Sequence, residues 1–176
     1  MKAVLMSIRP EWCAKIASGH KTVEIRKTMP KLPVPFKVYI YCTEPNTVDP
    51  HKYLETHCGG RIYKCNGKVF AEFVCDRIRP EPEVADGLVD ICLGMQSCVD
   101  PVDILKYANG KMVYSWHISD LIIYDKPKEL GEFKRCDKCP YGPLEKCWNH
   151  EYGCDGEYNV RRAPQSWCYV EYVEVV

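Results

Sequence analysis

Residues 19–26, with the sequence GHKTVEIR, decide both the fold and the candidate site of this chain. A glycine turn leads into a run in which polar and apolar side chains alternate, which is the pattern of a β-strand. Val23 and Ile25 would face one side of that strand, and the polar side chains would face the other: Thr22, Glu24 and Arg26. We therefore predict a half-buried strand with an accessible charged face and with Lys21 at its rim.

The charged face of this strand would bring together an ammonium, a carboxylate and a guanidinium, from Lys21, Glu24 and Arg26. Such a group can bind an anion, orient a polar ligand or, where it is desolvated, carry out acid–base chemistry. The competing interpretation is a solvated ladder of ion pairs on an exposed strand, which contributes little to stability. The charge pattern alone favours that ladder, because charged faces are common on protein surfaces.

Two predicted elements precede this strand. Residues 2–8 are apolar and predict a buried first strand. Pro10 suits the first turn of a short helix. The backbone N–H groups of a first turn have no partner within the helix, so the missing N–H of proline costs nothing there. Gly19 stands where a glycine commonly ends a helix.

The chain beyond the strand is rich in further β-strand and turn signals. Residues 36–42 predict a strand. Asn66-Gly67 lies between alternating runs at 61–65 and 68–75, which is the signature of a type I′ hairpin. A second helix is predicted between Asp100-Pro101 at its start and Asn109-Gly110 at its end.

The last third of the chain changes character. Residues 113–118 and 121–124 predict strands, 126–163 are rich in Cys, Gly, Pro and charge, and 166–175 alternate as a closing strand. Many short strands with few helices indicate a mostly-β (α+β) fold, which we predict to be a β-barrel with short helices. We expect a single domain over 1–176, with a Cys-rich insertion at 126–163 before the last strand.

Charge restricts the nucleic-acid partners that the chain can have. It carries 24 basic and 24 acidic residues, so its formal net charge is zero. This balance argues against general binding of duplex DNA, which needs a strongly basic surface. A local basic cleft is still possible, and either of two groups of residues could supply it: Arg61, Lys64 and Lys68, or Arg77 and Arg79.

The start of the chain and its twelve cysteines indicate the compartment. The apolar run at residues 3–6 is too short for a signal peptide, and no apolar stretch is long enough to span a bilayer. We therefore expect a cytoplasmic protein with no membrane partner and with reduced thiols, some of which could bind metal.

Four of the cysteines form a candidate metal site: Cys136, Cys139, Cys147 and Cys154. A Cys-x-x-Cys pair with two further thiols can close a tetrahedral zinc site, and His150 could replace one of the last two. A structural zinc would let a segment without a hydrophobic face keep a fixed shape. A flexible insertion with free thiols is the alternative. The other cysteines are expected mostly as small buried side chains: Cys13, Cys42, Cys58, Cys65, Cys75, Cys92, Cys98 and Cys168.

Residues 19–26 also carry a family resemblance. Gly19, Lys21, Glu24 and Arg26 match every defined position of the GxKxxExR signature of the ASCH family. Three further stretches are similar to small ASCH proteins of bacteria and their phages: SIRP at 7–10, SWHIS at 115–119 and APQSWCYVE at 163–171. The resemblance implies a PUA-like barrel with a cleft beside the signature strand that accommodates RNA or a nucleoside.

From this resemblance we expect one set of ligand-binding residues around the cleft: Ser7, Arg9, Lys21, Thr22, Glu24, Arg26, Trp116 and His117. Trp116 and His117 could stack on a base. The alternative for both is a place in the core, which is where an aromatic side chain in a strand more often lies.

The resemblance also supports a second hypothesis, in which the protein is an enzyme and not a binding module. Some ASCH relatives are amidohydrolases that deacylate N4-acylcytidine, and others have been described as ribonucleases. The amidohydrolase pattern pairs a lysine at the position of Lys21 with a nucleophilic threonine where this chain has Glu24. That nucleophile is therefore missing, although Lys21 and Glu24 could still activate a water as catalytic residues. A third hypothesis makes the Cys-rich segment a protein-interaction surface.

Metal analysis distinguishes the two interpretations of the Cys-rich segment. If the four cysteines form a zinc site, protein purified without added zinc should contain about one zinc per chain, and Cys139→Ser should remove it because three thiolates hold zinc less tightly. Clearly substoichiometric zinc in the unmodified protein would favour free thiols.

Overall fold

The computed structural model describes residues 2–45, 53–135 and 158–171. Twelve strands and three α-helices lie in these ranges, in this order: β1 (Lys2–Ile8), α1 (Pro10–Ala17), β2 (Val23–Arg26), β3 (Phe36–Cys42), β4 (Glu55–Cys58), β5 (Arg61–Lys64), β6 (Lys68–Cys75), β7 (Ile78–Glu81), α2 (Ile91–Ser97), α3 (Pro101–Ala108), β8 (Val113–His117), β9 (Ser119–Lys128), β10 (Lys134–Arg135), β11 (Tyr158–Asn159) and β12 (Trp167–Glu171).

The strands form three sheets. The largest has seven strands in the order β11-β10-β12-β1-β3-β6-β9, and the others have the orders β2-β8-β7 and β4-β5. Among the strands of the described ranges, only β1 and β3 pair in parallel, because α1 and β2 carry the chain back between them. The short strand β2 is thereby placed in the three-stranded sheet, away from its neighbours in sequence.

The mostly-β α+β composition is as predicted, but the closed barrel is not. Within the described ranges the three sheets do not join into one closed ring of strands. β8 pairs with β2 and β7 up to His117, and Ser119, two residues later, is already opposite Val74 of β6. β9 therefore leaves the small sheet and pairs with β6 at the edge of the large one. The prediction of a barrel is corrected to three separate sheets around one interior.

The core between the sheets is built by side chains of the large sheet packed against α1 and Trp116. Trp116 is fully buried and meets the ring of Phe36 edge-on, with centroids 5.7 Å apart. A second cluster lies on the other face of the large sheet, around Leu5, Tyr39 and Phe133. A third joins the small sheet to α2 and α3: Val23, Ile25, Val84, Leu93, Ile104, Ala108 and Val113.

The predicted hairpin at Asn66-Gly67 does not form. β5 pairs instead with β4 across the two-residue turn Gly59-Gly60, in which both φ angles are positive, at 56° and 74°, as a type I′ turn requires. β6 takes β3 and β9 as its partners. The buried amide of Asn66 joins two loops, accepting from the Leu54 N–H at 2.9 Å and donating to the Thr43 carbonyl at 3.2 Å.

Both predicted helices are present. Gly19 follows the last turn of α1 with φ of 75°, and Asp100 caps α3 by accepting from the Val102 N–H at 2.8 Å. The sequence analysis missed α2, which has only seven residues. Among the described residues, no helix is long and apolar enough to cross a membrane.

The ends of the predicted Cys-rich insertion belong to the sheets. Residues 126–128 lie in β9, and Phe133 and Val160 are buried in the core. β10 pairs with both β11 and β12, so the chain leaves and rejoins the same edge of the large sheet. The four candidate zinc ligands, Cys136, Cys139, Cys147 and Cys154, and the substitute His150 lie outside the described residues.

The other cysteines are buried at five positions: Cys13, Cys42, Cys65, Cys75 and Cys168. Burial raises the pKa of the Cys65 thiol to about 11 and of the Cys75 thiol to about 12, so both are uncharged packing groups. The expectation of buried thiols is wrong for Cys92, which is exposed, and for Cys58 and Cys98, which are half-buried.

Candidate functional site

The signature segment is held in place by its backbone before any side chain is considered. After the turn at Gly19, the Lys21 N–H donates to the Lys15 carbonyl at 3.0 Å, and the Thr22 N–H donates to the Gln96 carbonyl at the end of α2 at 2.9 Å. β2 then pairs with β8, with Glu24 opposite Trp116. These contacts fix both ends of the segment between two helices and a sheet.

The three charged side chains of the segment form one ion-paired group. Lys21 Nζ lies 3.2 Å from Glu24 Oε2, and Arg26 Nη2 lies 3.0 Å from Glu24 Oε1. Each carboxylate oxygen therefore has its own cation. We call Lys21, Glu24 and Arg26 the triad.

The triad is buried, with exposed fractions of 2% for Lys21, 7% for Glu24 and 8% for Arg26. A solvated ladder of ion pairs is therefore excluded, and the predicted half-buried strand is wrong because every residue of β2 is buried. α2 and α3 cover the face that carries Val23 and Ile25, and the triad lies on the opposite face. Burying three charges is costly unless each is paired and hydrogen-bonded.

Backbone and hydroxyl groups complete the coordination of the two cations. Lys21 Nζ donates to the Ser97 carbonyl at 2.7 Å and lies 5.4 Å from the centre of the Trp12 ring. Arg26 Nη2 donates to the Ser7 carbonyl at 2.8 Å, and its Nη1 reaches Ser166 Oγ at 3.4 Å. Within the described ranges, Arg26 Nε is a buried donor without an acceptor.

A cleft of about 1120 Å³ opens above the triad. Its walls come from the end of β1 and the start of α1, from the residues after β3, and from α3 on the far side. The lining consists of these residues: Ser7, Ile8, Arg9, Glu11, Trp12, Lys21, Glu24, Ile25, Arg26, Thr43, Glu44, Val99, Asp103, Ile104, Tyr107 and Gln165.

Two aromatic side chains stand in this lining. Trp12 is half-buried, and Lys15 and Lys21 both lie near its ring, at 4.7 and 5.4 Å from its centre. Tyr107 is 41% exposed and has Lys27 4.8 Å from its ring centre. Burial of part of the ring raises the pKa of the Tyr107 hydroxyl, which is therefore a neutral hydrogen-bond donor at pH 7.

Comparison with solved structures gives a consistent result. The chain is similar to the ASCH protein from Zymomonas mobilis, at 17% identity and a TM-score of 0.54, covering 96% of this chain and 87% of that one. A variant of that protein with one serine replaced by alanine gives 16% identity and a TM-score of 0.59, covering 96% and 88%. This chain has an ASCH-like fold. No family model matches its sequence, and no curated protein does.

The ASCH-like fold brings five of the eight predicted ligand-binding residues to one cleft: Ser7, Arg9, Lys21, Glu24 and Arg26. Thr22 is outside the lining, and its backbone bonds to Gln96 and Ile118. Trp116 is in the core, as its alternative interpretation had it, and cannot stack on a ligand from there. The rest of the cleft residues were missed. α3 and the residues after β3 are distant in sequence from the signature, and the local pattern of residues 8–12 and of Ile25 gives no sign that they line a cleft.

His117 lies at a second, smaller cavity of about 260 Å³ on the other face of the small sheet. Its Nδ1 is 2.6 Å from Asp76 Oδ1, and this hydrogen bond holds the pKa of the Asp76 carboxyl below its usual value. Arg77 and Arg79 line the same cavity. Arg79 is paired with the buried Glu81 at 3.3 Å, so its charge is balanced locally.

Neither predicted basic group lines the large cleft. Arg77 and Arg79 are at the smaller cavity, whereas Lys64 and Lys68 are paired with Glu44 and Glu129. Among the described residues, no group of three or more His, Cys, Asp or Glu side chains is arranged to hold a metal ion. The large cleft therefore has to work through its triad, its aromatic rings and its acidic residues.

The triad predicts a large penalty for removing its carboxylate. Glu24→Gln keeps the size of the side chain but leaves the ammonium of Lys21 and the guanidinium of Arg26 buried without a counter-charge. We expect a loss of about 3–5 kcal/mol in the free energy of unfolding, measured with urea. The matched control is Asp103→Asn, which breaks the exposed Asp103–Lys106 pair and should cost about 1 kcal/mol or less.

A double-mutant cycle adds the second arm of this test. Lys21→Met combined with Glu24→Gln should cost less than the two single changes added together, because each change alone leaves an unpaired buried charge. Additive effects, or a cost for Glu24→Gln no larger than that of the control, would contradict a buried, mutually dependent triad.

Proposed function

We propose that this protein is a binding module for RNA or a nucleoside that holds a base in the large cleft. The observation that carries the proposal is a cleft of about 1120 Å³ built over a buried ion triad, with the rings of Trp12 and Tyr107 in its wall.

The size of the cleft suits this class of ligand. Pockets for small ligands commonly measure about 300–1000 Å³, so the cleft has room for a nucleoside and for part of a neighbouring nucleotide. Proteins that recognise RNA by sequence take single-stranded bases out of their stack and hold them against aromatic side chains. Trp12 and Tyr107 stand at the cleft wall and can supply such contacts.

The polar groups at the base of the cleft suit a nucleobase edge. Arg26 lines the cleft and can donate to a ring nitrogen or carbonyl oxygen through Nη1, whose bond to Ser166 Oγ is long at 3.4 Å. Glu24 can accept from an amino group through lone pairs that its two cations leave free. The edge of a nucleobase also carries a donor and an acceptor side by side, so it can pair with these two groups. Ser7, Arg9 and Lys21 complete the ligand-binding set that we propose.

The hydrolase alternative, on a modified pyrimidine nucleoside or on RNA, has less support. Both oxygens of Glu24 face cations at 3.0 and 3.2 Å, so taking a proton from water would weaken two buried ion pairs. The Ser7 hydroxyl donates to the Pro164 carbonyl at 2.6 Å and lacks a neighbouring base. Thr22 is outside the cleft lining. Lys21 and Glu24 remain the catalytic residues of this alternative.

A structural zinc at Cys136, Cys139, Cys147 and Cys154 remains a separate proposal. The paired strands β10 and β11 bring the ends of this segment together, as a compact metal-bound excursion would need. The same strand pairing defines which residues to delete in a test of whether this segment binds another protein. Removing residues 136–157 spares Phe133 and Val160, which a deletion of 126–163 would take out of the core.

Binding should be measured with the four ribonucleosides and a short single-stranded RNA, by calorimetry and by quenching of Trp fluorescence. We expect binding by the unmodified protein and a loss of about fivefold or more in Tyr107→Ala, since a base–aromatic stack is worth about 1–3 kcal/mol. Tyr63→Ala, on a strand outside the cleft, is the matched control and should bind normally.

Two results would count against this proposal. The absence of any binding to nucleosides and to RNA would remove it. Release of acetate from N4-acetylcytidine by the unmodified protein, above a buffer blank, would favour the hydrolase in place of a binding module.

A further inference from the structure

We propose that the cleft selects an uncharged base or nucleoside and repels phosphate groups, and that Glu44 and Asp103 set this selectivity. The inference rests on the proposed function and narrows its ligand. For RNA, it means that a base enters the cleft while the phosphate backbone remains outside.

The charges of the lining are the first observation. Among the described residues of the cleft, the carboxylates outnumber the cations by four to three: Glu11, Glu24, Glu44 and Asp103 against Arg9, Lys21 and Arg26. A site for a phosphate group typically gathers arginine, lysine or backbone N–H groups without matching carboxylates. In this cleft the carboxylates outnumber the cations, which is unfavourable for a phosphate group.

The second observation is the orientation of two ion pairs at the rim. Glu44 is paired with Lys64 at 3.4 Å, and Asp103 with Lys106 at 3.2 Å. In both pairs the carboxylate belongs to the cleft lining and the lysine does not. A charged group inside the cleft therefore faces the carboxylate of each pair, because the lysine is outside the lining.

The position of Glu44 is further defined by Gly67. A Cβ atom at position 67 would come 2.7 Å from Glu44 Oε1, closer than such atoms can approach. Gly67 has φ of 77° and leaves the space that the carboxylate occupies. The Glu44 carboxylate thus lies between the Lys64 ammonium and the backbone at Gly67.

The inner cations do not offset the acidic rim. Lys21 donates to Glu24 and to the Ser97 carbonyl, and Arg26 donates to Glu24 and to the Ser7 carbonyl. Arg9 is 74% exposed and lies 4.0 Å from Glu11, so it is the cation of the described lining that a phosphate could still reach. One exposed cation faces the two rim carboxylates, Glu44 and Asp103.

The test compares each ribonucleoside with its 5′-monophosphate in the unmodified protein and in Glu44→Gln, Asp103→Asn and the double variant. We expect the nucleoside to bind more tightly than the monophosphate at low salt. Each neutralisation should raise monophosphate affinity by about threefold to tenfold, as expected for one charge at the edge of a partly solvated site. Nucleoside affinity should change by about twofold or less, because an uncharged ligand carries no net charge for the rim to repel.

Asp125→Asn is the matched control, since it removes an exposed carboxylate on β9 that is not in the cleft lining. It should leave both affinities unchanged. Raising the salt concentration should narrow the difference between nucleoside and monophosphate in the unmodified protein, since screening weakens repulsion between exposed charges.

The outcomes separate this inference from the proposed function. Monophosphates that bind as tightly as nucleosides, or rim variants that change both ligands by the same factor, would overturn the selectivity and leave nucleoside binding intact. If neither ligand binds to the unmodified protein, the proposed function fails, and the inference fails with it.

Discussion

The structure depends on a single buried carboxylate placed between two buried cations. Glu24 accepts from Lys21 through one oxygen and from Arg26 through the other. Each cation is in turn bonded to a different part of the fold, Lys21 to the end of α2 and Arg26 to β1. The carboxylate thus joins three elements that are far apart in sequence, and it does so on a four-residue strand with few backbone hydrogen bonds of its own.

This interaction also explains why the cleft lies where it does. Filling the space above the triad with apolar side chains would remove the remaining solvation of three charges, which is costly in a low-dielectric interior. The space is instead left open to solvent and bounded by half-buried side chains such as Trp12 and Tyr107. A site that holds the triad and accepts a polar, uncharged ligand satisfies both requirements.

The sequence predicted the elements that local chemistry determines. Pro10, Gly19, Asp100 and Asn109 mark helix ends through hydrogen bonding and backbone geometry within a few residues, and both helices are present. The GxKxxExR signature predicted the group of three charged side chains for the same reason, because Lys21, Glu24 and Arg26 are close in sequence and form ion pairs. The ASCH-like fold followed from that signature together with the order of its flanking segments.

What the sequence could not predict depends on contacts between distant segments. The alternation in β2 does not reveal that β1, α1 and the end of α2 contact the charged side chains, so the burial of the triad was missed. Asn66-Gly67 has the local chemistry of a hairpin, but β6 pairs with β3 and β9 instead. The acidic rim brings together Glu44 and Asp103, 59 positions apart by their numbers, and no local pattern links them. Trp116 and His117 are adjacent in sequence but serve the core and a second cavity.

The most direct test of the account is a crystal structure of the protein with a bound nucleoside. The account predicts a base in the large cleft, with an acceptor atom about 3 Å from the Arg26 guanidinium and the triad still ion-paired below it. A base seated in the smaller cavity beside His117, or a base in the large cleft that makes no contact with Arg26, would contradict it.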